Sequence, residues 1–190
     1  MKHRYGAVYD NVRIRPLEKS DIENLRKWRN NAEKTQFLRK IPYITSDMQE
    51  KWYEEYLKNS DEITFAIDEI TDLNRMVGSV SLYNFQNDTA EIGKIQIGDE
   101  EASGRGIGRK SLVMAMKIAF ELLGIKKIVG AVHQNNIAAH KNDIKIGFLI
   151  VGKHEAPMGG FEDEIEISAK RLAEVNDYVN KIVIEGDKNN

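Results

Sequence analysis

The stretch Glu101–Leu112, EASGRGIGRKSL, constrains this chain more than any other. Glycines at 104, 106 and 108 alternate with Arg105 and Ile107; Arg109 and Lys110 follow, and an unbroken helical pattern begins. Glycine loses more freedom on folding than any other residue, so alternating glycines before a helix imply a backbone that must approach something closely. The first-turn N–H groups of a helix lack internal partners, and the macrodipole adds about half a positive charge there. Glycines leave those groups open to an anion, and the three basic residues add mobile charge. A phosphate or pyrophosphate is the natural ligand; a tight turn with solvated basic residues is the other reading. The loop is not a nucleoside-triphosphate P-loop, because GRGIGRKS lacks the G-x-x-x-x-G-K-[ST] spacing. Nor is it a dinucleotide fingerprint, because G-x-G-x-G is not G-x-G-x-x-G and no acidic residue closes a following strand.

The 190 residues suit one domain spanning 1–190, with a core over about 11–169 and a terminal helix and tail over 170–190. A hydrophobic fraction of 41% with only three prolines is globular rather than disordered. A formal net charge of -2 gives no reason to expect a nucleic-acid partner. With no cysteine there is no disulfide framework, thiolate nucleophile or zinc-thiolate site. The start, MKHRYGAVYD, has no apolar core, so the expectation is a cytoplasmic protein without a membrane partner.

Along the chain, NVRIRPL alternates and stops at Pro16, which predicts a first strand. Ser20 with Glu23, and Ser46 with Gln49, are capping-box signals for two helices. ITFAIDEI, MVGSVSLYNF and TAEIGKIQIG read as strands, the last two joined by a hairpin at Gln86-Asn87-Asp88. In the third of these, period two puts Glu91, Gly93, Ile95 and Ile97 on one face. RKSLVMAMKIAFELLG is the strongest helix, with Gly124 at its end. IKKIVGAV is a strand, NNIAAHKNDIKIG a helix, FLIVGKHE and FEDEIEISAK two strands, and 170–183 a terminal helix. The order is β-α-α-β-β-β-α-β-α-β-β plus a C-terminal helix, an α/β (α+β) fold on one mixed sheet.

AEIGKIQIGDEEASGRGIGRKSLVMAM followed by VHQNNIAAHKNDIKIGF resembles the GNAT superfamily of acyl-CoA-dependent N-acetyltransferases. The resemblance covers roughly Val12 to Glu166. It implies that backbone N–H groups over Ser103, Gly104, Arg105, Gly106, Ile107, Gly108 and Arg109 hold the pyrophosphate of acetyl-CoA. It implies too that the strand before the loop splays from its neighbour, with Ile95 and Ile97 offering backbone to the pantetheine arm and Gly93 as the bulge. Asn136 matches the asparagine that contacts the cofactor from the later helix. Two positions depart from the pattern: Ser103 stands where Arg or Gln is usual, and Asp143 where many members carry the tyrosine that protonates the departing thiolate.

Acetyl transfer needs a neutral amine, a polarised carbonyl and a leaving thiolate. Glu91 is the candidate base, a backbone N–H near Ile97 the candidate polariser, Asp143 the candidate acid, and His133 is read as structural. KWRNN followed by EKWYEEYL looks like the branch that acetylates amino groups on nucleotide-linked sugars. There Arg29 and Asn30 would bind the acceptor, Arg29 gripping a phosphate, with Trp28 or Phe37 stacking on a ring. For Trp28 and Trp52 the favoured reading is core aromatics pinning two helices. A protein N-terminal acetyltransferase of the ribosomal type, a polyamine or aminoglycoside acetyltransferase, and a non-catalytic acyl-CoA sensor are the alternatives. The expected partner is a small-molecule amine, with a homodimer through the terminal helix as a further expectation.

Overall fold

The structure, a computed structural model, describes residues 3–33, 35, 41–157 and 159–186. Among these, the strands are β1 (Gly6–Tyr9), β2 (Val12–Pro16), β3 (Glu62–Glu69), β4 (Arg75–Gln86), β5 (Thr89–Ile97), β6 (Lys127–His133), β7 (Leu149–Glu155), β8 (Phe161–Ser168) and β9 (Val183–Glu185). They form one sheet in the order β7-β8-β6-β5-β4-β3-β2-β1-β9. β5 and β6 pair in parallel, and the remaining pairs described are antiparallel. A parallel pair needs a crossover, and here it is the glycine loop and α3 (Ile107–Leu122).

One face of the sheet is apolar by alternation. Ile63, Phe65 and Ile67 of β3, Val80 and Leu82 of β4, and Ile128 of β6 sit against α3. Met114, Ala115, Met116 and Ile118 are wholly buried, so α3 is enclosed rather than merely amphipathic. Burying such a side chain contributes about 1.5–3 kcal/mol each. α4 (Ile137–Ile146) and α5 (Ala169–Val175) lie on this same side, through Ile146 and Leu172. On the other face a smaller cluster of Leu17, Tyr56, Ala66 and Met76 receives Leu25, Trp28, Trp52 and Tyr53. It pins α1 (Ile22–Asn30) and α2 (Ser46–Lys58), so the two tryptophans are core aromatics.

Four expectations change. The cap of α2 is Thr45, whose Oγ1 accepts from the Met48 N–H at 3.3 Å, not Ser46. Ser20 lies inside a short 3-10 turn before α1 rather than capping it. The terminal helix over 170–183 stops at Val175, because the Asn176 amide turns back onto the carbonyls of Ile146 (2.8 Å) and Leu172 (2.9 Å). The chain then crosses to the far edge of the sheet, where β9 pairs with β1. The apolar spacing that reads as a helix is real, since Leu172, Val179 and Ile182 are all buried, but they reach the core along a broken path. Finally, the bulge of β5 is not at Gly93. Ser81 pairs with Gly93 and Ser79 with Gln96, and Lys94 takes φ 50 between them. The extra residue inverts the alternation, so Glu91 shares a face with Gln96 while Ile95 and Ile97 turn to the α3 side.

A buried carboxylate ties two turns to the start of α3. Glu69 is wholly buried and accepts from the Thr71 hydroxyl (2.6 Å), the N–H groups of Leu73 (2.6 Å) and Asp72 (2.9 Å), and the Asn11 amide (3.0 Å). These donors, the Thr71 hydroxyl foremost, hold it down at about 2. Asn11 in turn accepts from Lys110 of α3 at 2.7 Å.

Candidate active site

β5 and β6 pair through Thr89–Lys127, Ala90–Ile128 and Glu91–Val129, and no further. β5 continues to Ile97 and β6 to His133, so a notch opens just beyond Glu91. Along it the β5 backbone has no strand partner on the β6 side among the described residues. Unpaired backbone of this kind is a template for an extended ligand.

The glycine loop closes one end of the notch. Gly104 and Gly106 adopt φ 75 and φ 74, the left-handed region that glycine alone enters without strain. No protein atom lies within 4 Å of where a Cβ would stand on either, so both face open space. Gly108 differs: a side chain there would touch Ile97 at 3.5 Å. Lys110 N–H bonds to the Gly106 carbonyl at 3.2 Å, which leaves the N–H groups of Ile107, Gly108 and Arg109 at the open helix end. The Ser103 N–H is already committed to the Glu100 carbonyl at 3.1 Å, so the outward donors begin at Gly104. Arg105 reaches Asp72 at 3.3 Å, and Lys110 reaches Asp10 at 2.6 Å. Arg109 stands near enough to the Tyr178 phenol to counter part of the upward push that burial gives it.

α4 lies on the α3 side of the notch. Asn136 caps it, its side-chain oxygen accepting from the Ala139 N–H at 3.1 Å. Asp143 shares the inward face with Ile146, and desolvation raises its carboxyl to about 6. His140 meets Asp163 at 3.6 Å. His133 bonds the Gly159 carbonyl at 2.9 Å, a structural role.

Glu91 opens onto the opposite face. It is the last β5 residue paired to β6, and across β4 it sits opposite Tyr83. The Asn84 amide donates to it at 3.0 Å. The register carries Glu62 into the same row through Tyr83, and it places Glu162, Glu164 and Glu166 of β8 on this face through His133, Ala131 and Val129. Lys94 pairs with Glu62 at 2.7 Å, and His154 stands between Glu162 (3.3 Å) and Glu164 (3.1 Å). The carboxylates of α2, Glu50, Glu54 and Glu55, are exposed to solvent and belong to a different set.

The C-terminal end of α1 covers the end of β5. Trp28 packs on Gly98, and Gln96 donates to the Trp28 carbonyl at 3.0 Å. Asn30 closes both ends of its amide on Ile44, donating to the carbonyl at 2.9 Å and accepting from the N–H at 2.9 Å. Arg29 is half-buried, and desolvation lowers its guanidinium from the ordinary value. Phe37 lies outside the described residues.

The notch, the glycine loop at the start of α3 and the cap of α4 coincide with a known domain: residues 11–149 match the acetyltransferase (GNAT) domain. The chain belongs to the GNAT acetyltransferase family. It is an acyl-CoA-dependent N-acetyltransferase, and the family uses acetyl-CoA as co-substrate. Among solved structures it is similar to spermidine N-acetyltransferase from Vibrio cholerae in complex with CoA and spermine, with 23% identity, TM-score 0.75, and 85% of this chain and 98% of that one covered. It is similar also to a GCN5-related N-acetyltransferase from Brucella melitensis (19% identity, TM-score 0.77, 95% and 86% covered). A nucleotide-linked sugar GNAT aligns at 18% identity with TM-score 0.74 over 95% and 96% of the two chains. No curated protein sequence matches the chain. No helix among the described residues is long and apolar enough to cross a membrane.

Sequence reasoning did not find Tyr83 or the acidic row of β8. The signal for the row is present in FEDEIEIS, where Glu162, Glu164 and Glu166 alternate with the apolar Ile165 and Ile167. Tyr83 has no such signal, because its relation to Glu91 exists only through the hairpin register.

Proposed function

We propose that this GNAT moves an acetyl group from acetyl-CoA to a primary amine of a small polycationic acceptor by direct attack. The observation that carries the reading is the row of carboxylates, Glu62, Glu91, Glu162 and Glu164, on the sheet face that meets the notch at Glu91. A multiply charged amine gains favourable field along such a row. A nucleotide-linked sugar would bring a diphosphate against it, and Asn30, the side chain proposed to receive that acceptor, is occupied by Ile44. That weighs against the sugar reading.

Acetyl-CoA fits the residues present. The two left-handed glycines face open space, three first-turn N–H groups lie at the helix end, and Arg105, Arg109 and Lys110 surround them. Gly104 to Arg109 would hold the pyrophosphate, the free β5 edge over Ile95–Ile97 the pantetheine, and the Asn136 amide the chain beside α4. The co-substrate supplies the thioester as acyl donor. Glu91 accepts the proton whose loss frees the amine lone pair for attack, since an alkylamine near pKa 10 is mostly protonated at neutral pH. Positioned acid–base groups of this kind contribute roughly 10²–10⁴-fold. As the N–C bond forms and the C–S bond breaks, the second N–H proton passes to solvent, and the protonated form of Asp143, its carboxyl raised to about 6, gives its proton to the thiolate and regains one from solvent. Glu91 and Asp143 belong to opposite faces of the sheet, which assigns the acceptor to the Glu91 side and the thiolate to the α3 side in this reading.

The test is free-thiol release from acetyl-CoA against spermidine, spermine, aminoglycosides, amino-terminal peptides and nucleotide-linked amino sugars. Release with the polyamines is expected. Release with the amino sugars alone, or with peptides alone, overturns the polycation reading.

A further inference from the structure

Gly93 is an awkward residue for the middle of a strand, and the bulge does not explain it, because the left-handed residue is Lys94. The space at Gly93 is taken by another side chain. A Cβ on residue 93 would stand 2.7 Å from the Tyr83 phenol oxygen and 3.4 Å and 3.5 Å from its Cε1 and Cζ. The Tyr83 ring therefore leans along β5 and seats its hydroxyl on the bare backbone of Gly93.

We propose that Tyr83 is a positioning residue for Glu91, its phenol fixing the proton-accepting carboxylate at the apex of the β5–β6 notch. The inference rests on the reading of Glu91 as the base. Tyr83 and Glu91 face each other directly in the antiparallel register, the arrangement in which cross-strand side chains meet. The phenol, seated at Gly93 two residues along the same face, lies within range of the Glu91 charge, and the Asn84 amide donates to the Glu91 carboxylate at 3.0 Å. The Asn84 donor and the adjacent phenol, both from β4, bracket a side chain that has two rotatable bonds beyond Cβ and would otherwise sample several rotamers. The ring is fixed in turn. Lys94, swung onto this face by the bulge, places its ammonium 4.7 Å from the ring centroid, and Glu62 holds that ammonium at 2.7 Å.

The charged groups around the phenol are Glu91 and Lys94 from β5, Glu62 from β3 and Glu162 from β8. Burial first, then the Glu91 charge, pushes the phenol up to about 12. It stays protonated through any working pH and serves as a permanent donor, not as a group that exchanges protons with the acceptor. Its influence is exerted through Glu91.

The test compares Tyr83→Phe, Gly93→Ala and Glu91→Gln in the full chain with acetyl-CoA and the best amine from the panel. Phenylalanine keeps the ring and its contact with Lys94 and removes only the hydroxyl. Gly93→Ala keeps the hydroxyl and displaces it. Both are expected to lower kcat roughly 10-fold, the scale of one hydrogen bond to a charged group, with KM for acetyl-CoA unchanged. Both are expected to shift the acid limb of the pH–rate profile upward, and the double variant should be no worse than either single one. Purely structural damage lowers activity without moving the limb. Circular dichroism on each variant separates misfolding from a local effect, and either variant alone suffices. If Glu91→Gln keeps the native rate and pH profile, the base reading falls and this inference falls with it. If Glu91→Gln loses turnover while a folded Tyr83→Phe or Gly93→Ala keeps the native kcat and limb, the positioning role alone is overturned.

Discussion

The Trp28 indole occupies the place of a side chain at Gly98: a Cβ there would stand 1.9 Å from its Cδ2 and 2.1 Å from its Cγ. A ring pressed on bare backbone joins the last turn of α1 to the end of β5, and the Gln96 amide reinforces it from the Trp28 carbonyl at 3.0 Å. Gly98→Ala must push the indole aside. Overpacking of this kind costs about 1–3 kcal/mol. The expected result is a lower melting temperature and a raised KM for the amine with an unchanged KM for acetyl-CoA. A melt and kinetics indistinguishable from the native chain would show that α1 adjusts without consequence.

Gly106 presents the reverse geometry. Its φ of 74 penalises any side chain, by about 1–2 kcal/mol, yet a Cβ there would meet no protein atom within 4 Å. Gly106→Ala should therefore fold with a modest loss of stability and bind acetyl-CoA at least 10-fold more weakly, because the methyl group enters the space where the pyrophosphate would lie. Titration calorimetry decides it, and unchanged affinity removes the loop assignment.

These two glycines show what the sequence displays and what it conceals. The loop before α3 is legible because its information is local: three glycines, three cations and a helix start within one short stretch. The β4–β5 hairpin is legible for the same reason, with Asn87 at φ 55 in its turn. The face of Glu91 is not. Counting by two aligns Glu91 with Ile95, and one left-handed lysine breaks that count. A lysine carries no bulge signal of its own; Lys94 is held there by Glu62 and the Tyr83 ring, which belong to other strands. The C-terminal segment is concealed in the same way. Its apolar spacing suits a helix, and what ends the helix is the Asn176 amide finding the Ile146 carbonyl, a contact across 30 positions of sequence.

The acidic face makes a prediction about salt. Glu164 is exposed and Glu162 half-buried, so their attraction for a polycation is screened by ions. Raising ionic strength from low to about 0.5 M, where the Debye length falls well below 10 Å, should raise KM for the amine several-fold and leave kcat nearly constant. Glu162→Gln with Glu164→Gln should raise KM at low salt and flatten this dependence. A salt-independent KM would detach these glutamates from the acceptor.

Asp143 tests whether stability has been given up for chemistry. Desolvation raises its carboxyl from 3.8 to about 6. Between those values the folded protein binds a proton that the unfolded chain has already released. Stability therefore falls as pH rises through this window and stays lower above it. A difference of this size corresponds to up to about 3 kcal/mol at neutral pH. Asp143→Asn is neutral at every pH and should melt higher than the native chain at pH 7–8, with the gap closing as pH falls toward 4. If the variant is both more stable and slower in turnover, with acetyl-CoA affinity retained, the buried carboxyl is kept for its proton and serves the thiolate. If it is more stable and just as fast, the thiolate leaves without help from α4.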